Sequence, residues 1–411
     1  MRLVEKHIIK ASHQDWKKID KLCFLSKNLY NYANYLVRQS LIFKQTYLNY
    51  NQIYNQVKKS PDYRALPSKV SQQILKILEK NWQVFLAANK AYKEKPNLFT
   101  RRPKLPKYKD KVKGRNLLVY TIQAISKLSL THGKIQLSKT DIEFPTQAEN
   151  IVCVRIIPRL KQYIIEVVYE RPNKSTVNNP KAVAAIDIGV DNLAALTSNQ
   201  KGFKPILVNG RVLKSINQFY NKIMAKLQSK LKEKLRTSNQ IQRLTAKRNH
   251  QISNYLHVCS KWIINYLDKW GIGQLIIGKH SFYKQWVNNR KKNNQSFINI
   301  PHDRFIEMLK YKGEIAGIKV IVSEESYTSL ASFLSLDYIP TYGEENGDAY
   351  EFSGYRESRG MYKEKGSKIR INADINGSYN IMRKVIPTVF DGGIEGVVVR
   401  PVRITPNQAK N

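Results

Sequence analysis

The stretch Ala184-Ala185-Ile186-Asp187-Ile188-Gly189-Val190-Asp191-Asn192-Leu193-Ala194-Ala195-Leu196 sets a lone acid inside a run of apolar residues, with a Gly close behind it. Apolar residues on both sides of a short turn read as a buried strand entering a hairpin, which puts Asp187 in a core strand. A carboxylate there is costly unless it is paired or holds a metal; the alternative is an Asp that caps the turn. A second acid weighs against the turn. Asp374 stands near the start of Ile371-Asn372-Ala373-Asp374-Ile375-Asn376-Gly377-Ser378-Tyr379-Asn380-Ile381, whose apolar residues fall at helical spacing. Two isolated acids in apolar settings suit divalent-metal chemistry on phosphates.

Charge points to the same class of partner. The chain carries 70 Lys+Arg against 31 Asp+Glu, a formal net charge of +39 spread along its length. Such an excess repels itself in a compact state unless a polyanion neutralises it, and 24 Tyr with 5 Trp supply faces on which unpaired bases stack. A merely solvated basic surface is the competing account. With 411 residues there is room for two or three domains. No run of about 18 apolar residues occurs and no signal peptide opens the chain, so a soluble, intracellular protein with no membrane partner is expected. Cys23, Cys153 and Cys259 are isolated, which excludes a disulfide framework and a Cys-x-x-Cys metal site.

In chain order, Met1 to Lys10 alternates as a short strand. Helical spacing follows from Ser12 (Trp16, Ile19, Leu22, Cys23, Leu29) and again after Pro67, where Val70, Ile74, Leu75 and Leu78 form a face that Trp82 and Phe85 continue as core. Arg101, Arg102, Lys104 and Lys107 lie in a proline-broken basic segment that cannot be helical throughout and suits a phosphate backbone or a solvated linker. Short strands are expected at Leu117 to Ile122, Lys127 to Leu130, Lys134 to Leu137, Ile151 to Ile157 and Tyr163 to Tyr169, making a small antiparallel barrel or sheet. Pro172 to Pro180 marks a boundary. Beyond the Asp187 hairpin come a basic helical pair from about Val212 to Trp270, the strand Gln274 to Gly278, a basic loop Lys279 to Asn299, the helix Pro301 to Ala316 and the strand Ile318 to Ser323. That βαβ-like order predicts a parallel layer.

Together these motifs resemble the TnpB family, the transposon-encoded OrfB-type proteins of insertion sequences, which are RNA-guided DNA endonucleases related to type V CRISPR effectors. The resemblance is carried by Ala185 to Val190, Leu275-Ile276-Ile277-Gly278 with Tyr283-Lys284-Gln285-Trp286, Ile300-Pro301-His302-Asp303-Arg304-Phe305, Glu324-Glu325-Ser326-Tyr327-Thr328-Ser329 and Asn372 to Asn376, nearly the whole chain. It implies an α+β multidomain fold. Residues 1–180 would be the nucleic-acid-recognition part, a small β-barrel (1–10 and 111–172) with an inserted helical bundle (12–110); residues 181–411 would be an RNase H-like, RuvC-like α/β nuclease domain. It further implies two Mg²⁺ or Mn²⁺ ions, a guide RNA from the transposon end, target double-stranded DNA, a flanking-motif check and a prokaryotic, cytoplasmic, nucleoid-associated setting. Base pairing would read sequence while the protein reads backbone and motif. Gln72, Gln73, Lys76 and Gln123 are the candidates for the motif, being side chains able to meet base edges in the major groove; Lys284 and Trp286 join the basic segment as candidate nucleic-acid contacts.

Two departures stand out. Relatives usually place a Glu where this strand ends in Gly278, and many carry a zinc ribbon of Cys pairs before the last Asp. Here 332–368 holds no Cys, so no zinc is expected and the segment reads as a mobile lid or a shrunken ribbon. Two-metal hydrolysis needs about three or four carboxylate oxygens, and Asp187 and Asp374 are only two residues. Glu325 first and Glu324 second are the candidates for the third, since they follow a strand end and alternation points them to opposite faces. Three readings follow: a guided nuclease, a guided DNA binder that no longer cuts, and a guide-independent nucleic-acid-binding protein; strand-joining transposition is a weaker fourth. On the guided readings the purified protein carries RNA. RNase digestion is then expected to precipitate it or lower its melting temperature; RNA-free protein with unchanged melting would contradict this.

Overall fold

A computed structural model of the chain describes residues 1–172, 179–232, 235–279, 300–341, 350–358, 360–366 and 368–406. The chain divides into two compact units, Met1–Pro172 and Asn173–Asn411. No helix among the described residues is long and apolar enough to cross a membrane.

The first unit runs β1 (Arg2–Ile9), α1 (Trp16–Lys44), α2 (Tyr50–Val57), α3 (Pro61–Arg64), α4 (Ser68–Glu94), β2 (Leu118–Thr121), α5 (Lys127–Thr131), β3 (Lys134–Gln136), β4 (Glu143–Pro145), β5 (Ile151–Arg159) and β6 (Gln162–Glu170). Alternating residues of β5 and β6 pair antiparallel, and β1 adds to β6, giving the sheet order β1-β6-β5-β2 with β1 and β2 at its edges. The helices α1 to α4 are inserted between those edges. Their apolar stripes close around Trp82, which is fully buried and donates its Nε1–H to Asn34 Oδ1 at 3.0 Å. One expected strand is absent: Lys127 to Leu130 is helical, because Ser126 caps the turn by accepting from the Ser129 N–H at 3.3 Å.

The second unit runs β7 (Val183–Asp187), β8 (Asn192–Ser198), β9 (Ile206–Asn209), α6 (Arg211–Gln228), α7 (Asn239–Lys269), β10 (Gln274–Gly278), α8 (His302–Ala316), β11 (Lys319–Ser323), β12 (Gly354–Ser358), β13 (Met361–Glu364), β14 (Arg370–Asn372), α9 (Ala373–Val385) and β15 (Val402–Ile404). Its main sheet has the order β11-β10-β7-β8-β9-β15. β10 lies parallel to both β7 and β11, while β8 is antiparallel to its neighbours. Ala184, Ile186, Leu275 and Ile277 face a core shared with α6, α7 and α8; Val183, Ala185 and Ile276 face a second core with α9. By the two-residue period of a strand, Asp187, Gly278 and Ser323 continue that second face.

The segment 332–368, expected to be a mobile lid or ribbon remnant, is tied down where it is described. Phe333 is fully buried and stacks on Tyr379 with centroids 4.2 Å apart, and Tyr362 of the β12–β13 hairpin is 1% exposed and donates to the Leu330 carbonyl. Its Gly, Ser and charge disguise two core aromatics. Phe333→Ala should therefore destabilise the protein by about 3 to 5 kcal/mol, read as an earlier denaturant midpoint; a loss under about 1 kcal/mol would show the segment to be undocked.

Candidate active site

Helix α9 brings the acids together. Asn372 caps it, accepting from the N–H groups of Asp374 and Ile375 at 3.1 and 3.2 Å, which fixes Asp374 in the first turn. Ser378 donates to the Ala185 carbonyl at 3.0 Å and exchanges a 2.9 Å hydrogen bond with Thr197, locking the helix over β7 and β8. The approach is close: a Cβ on Gly377 would stand 2.8 Å from Asp187 Oδ2, so Gly377 is the residue that lets the helix backbone pass the carboxylate. On the other side, Asn376 donates to the Ala331 carbonyl at 2.8 Å and accepts from the Phe333 N–H at 2.9 Å, and Asn380 donates to the carbonyls of Thr328 and Ala331. The turn after β11 is thereby held against α9.

That turn carries the two glutamates, and it separates them. Tyr327 takes the left-handed conformation, φ 62°, and Thr328 Oγ1 donates to the Glu325 carbonyl at 2.8 Å. The carboxylate of Glu325 reaches over the end of β10: a Cβ on Gly278 would meet Glu325 Oε2 at 2.5 Å. Glu324 is bound to Lys384 Nζ at 2.6 Å and accepts from the Ser326 N–H. Partial burial opposes its ionisation, but these bonds hold Glu324 below the usual carboxylate range. Of the two candidate glutamates, Glu324 is thus held in an ion pair with Lys384, while Glu325 is the one that reaches over Gly278.

Burial first, then the facing carboxylates of Glu325 and Asp374, push Asp187 well above the usual carboxylate range, with the Arg356 guanidinium opposing. Asp374 accepts from Asn192 Nδ2 at 2.7 Å, and Arg356 of β12 lies 3.5 Å from Asp374 Oδ1. Neither Asn192 nor Arg356 is marked by the sequence pattern: one is the polar residue that opens β8 and the other is one basic residue among 70. Among the described residues no three His, Cys, Asp or Glu side chains stand close enough to form a ready-made metal cage. The donor chemistry nonetheless suits a hard divalent cation, since the carboxylates of Glu325 and Asp374 act on buried Asp187 and Asn192 Oδ1 is buried without a hydrogen-bond partner.

The other candidates scatter. Gln72 and Gln73 are half-buried and Lys76 exposed on α4, where Gln72 is hydrogen-bonded to Tyr63 and Lys76 Nζ lies 5.8 Å from the Tyr50 ring. Gln123 is exposed on a 3-10 turn, Ile122–Ala124, that packs on α4. Arg101, Arg102, Lys104 and Lys107 are exposed along the extended segment after α4. Lys284 and Trp286 lie outside the described residues.

Two family models match the chain. One, described as "Probable transposase" (OrfB_IS605), covers residues 166–282, and a Cas12f1-like TNB domain covers residues 302–381. No curated protein matches. Solved structures aligned with it include a Cas12f1–sgRNA–target DNA complex, at 13% identity over 92% of this chain and 98% of that one with a TM-score of 0.37. Another is C2c1 of Alicyclobacillus acidoterrestris with single-guide RNA, at 9% identity over 90% and 69% with a TM-score of 0.35. At these scores the structural likeness carries no weight. Gly278→Ala should cost about 1 to 3 kcal/mol, because its methyl group would press on Glu325 and on Ile381 Cδ1, 2.5 Å away; an unchanged denaturation curve would refute that close packing. The two matches share out the segments on which the acids stand, and through them the resemblance of this chain to the OrfB-type TnpB family is shown.

Proposed function

We propose that this protein is an RNA-guided DNA endonuclease of the TnpB/Cas12f-like kind, encoded by an insertion sequence. It would cut DNA beside a short flanking motif, with the third acid of its nuclease site moved from the end of β10 to Glu325. The observation that carries this reading is that Glu325 reaches over Gly278 at the end of β10 while its carboxylate and that of Asp374 act on buried Asp187. The sheet supports a RuvC-like, RNase H-like assignment of the second unit: three consecutive strands β7, β8 and β9 with β8 reversed, then β10 and β11 added parallel on the other side of β7. The inserted helices and sheet of the first unit would be the bundle and barrel that grip guide and target, with Gln72, Gln73, Lys76 and Gln123 reading the motif.

Asp187, Glu325 and Asp374 would hold Mg²⁺ or Mn²⁺, which when bound supplies Lewis-acid charge and an activated water for phosphodiester hydrolysis. Asn192 orients Asp374 through its amide N–H, and Arg356 stands at the same carboxylate, placed to meet a phosphate once the acid turns to other partners. Gly377 and Gly278 keep the space around the acids free of side chains.

The test is cleavage of a plasmid library with a randomised flanking motif by the RNA-loaded protein. Asp187→Asn, Asp374→Asn and Glu325→Gln should each lower the cutting rate by about 10³-fold or more while target binding persists, and chelation should do the same. Glu324→Gln should cut, since that residue pairs with Lys384. Matched DNA bound and never nicked by the wild-type protein would instead favour the guided binder; no dependence on RNA would favour the guide-independent one.

A further inference from the structure

We propose that a cleft in the first unit, formed by α4 and the basic segment that follows it, holds one unpaired nucleotide of a single-stranded nucleic acid. Its base would lie against Phe85 and Tyr108, and its phosphate against Lys104 and Lys107. The proposal rests on the nucleic-acid-binding part of the reading above and not on cleavage.

The cleft measures about 480 Å³, within the roughly 300 to 1,000 Å³ of small-molecule sites. Phe85, Val84 and the rings of Pro103 and Pro106 give it apolar surface, Tyr108 an aromatic wall and Lys104, Lys107 and Lys109 a cationic rim; its lining includes no carboxylate. Aromatic faces beside lysines match the two halves of a nucleotide, a base with a π-face and a phosphate with a charge. A fatty or neutral ligand would leave the lysines without a role, and an inorganic anion would leave the rings without one.

The wall is also rigid, which a merely solvated linker would not be. Asn31 holds Lys109 by both main-chain groups, donating to its carbonyl and accepting from its N–H, each at 2.9 Å. Asn34 and Arg38 donate to the Pro106 carbonyl at 3.1 and 2.6 Å, and Lys27 donates to the Lys111 carbonyl at 2.7 Å. These side chains of α1 grip the segment by its backbone, leaving Lys104 and Lys107 exposed on the rim. The Arg38 guanidinium lies 4.4 Å from the centroid of Tyr108, fixing the ring that lines the cleft and pre-paying the ordering that stacking requires. Val84 stands about 12 Å along α4 from Lys76, at 1.5 Å per residue, so the cleft is separate from the residues assigned above to the flanking motif. At 61% exposure Val84 has no core role that would explain an apolar residue there.

The test uses the full chain and photo-crosslinking to single-stranded oligonucleotides, RNA carrying 4-thiouridine in one arm and DNA carrying 4-thiothymidine in the other. Crosslinked peptides should contain Phe85 or Tyr108 in at least one arm, and the arm identifies the strand. Val84→Glu and Tyr108→Ala, both at exposed positions, should each weaken single-strand binding by about tenfold while leaving the melting temperature and duplex affinity unchanged. Crosslinks that map elsewhere in both arms, or two variants that bind single strands as tightly as wild type, would overturn the proposal. Cleft crosslinks without any guided cutting would sink the nuclease reading alone; guided cutting with crosslinks elsewhere would sink only the cleft.

Discussion

Three buried polar side chains of α9 hold the second unit's acids in place. Asn376 and Asn380 satisfy main-chain groups of the turn after β11, and Ser378 satisfies one of β7 with Thr197 beside it. Buried amides and hydroxyls are costly unless paired, so the pairing that satisfies them also sets where the helix sits. Asp187 on the strand, Asp374 on the helix and Glu325 on the turn come from elements far apart in the sequence, and α9 is hydrogen-bonded to both of the other two. The site is a by-product of satisfying that helix.

Glycine has two distinct uses here. At Gly377 the missing Cβ lets a helix backbone pass a carboxylate, and at Gly278 it leaves room for a carboxylate arriving from the turn after β11. Ser323 pairs with Gly278 in the β10–β11 register, and Glu325 lies two residues beyond it in the turn that follows β11, so its carboxylate reaches over Gly278 from the side.

Much of this was legible in the sequence. Lone acids among Ala, Ile and Val announce themselves because an unpaired carboxylate is costly there, and the apolar runs around Asp187 and Gly278 read directly as the buried strands β7 and β10. Glu324 and Glu325 were distinguishable in the sequence only by alternation; the ion pair of Glu324 with Lys384, 60 positions away, could not be read there. Arg356 and Asn192 escaped because their significance is purely spatial. Phe333 and Tyr362 escaped because single aromatics in a Gly- and Ser-rich stretch look like loop residues until their partners are known. Lys127 to Leu130 shows the reverse error: alternation over four residues is too short to outweigh one serine cap.

The distance in sequence between β7 and α9 has a consequence for the protein's birth. A ribosome delivers the chain from its N-terminus at about 5 to 20 residues per second, so the first unit and the strand bearing Asp187 exist for many seconds before Asp374 is made. During that interval the basic residues are already made, while the acids are not yet together. Assembly of the acid cluster waits on α9, so the order of synthesis sets the basic surface before the carboxylates that the second unit gathers.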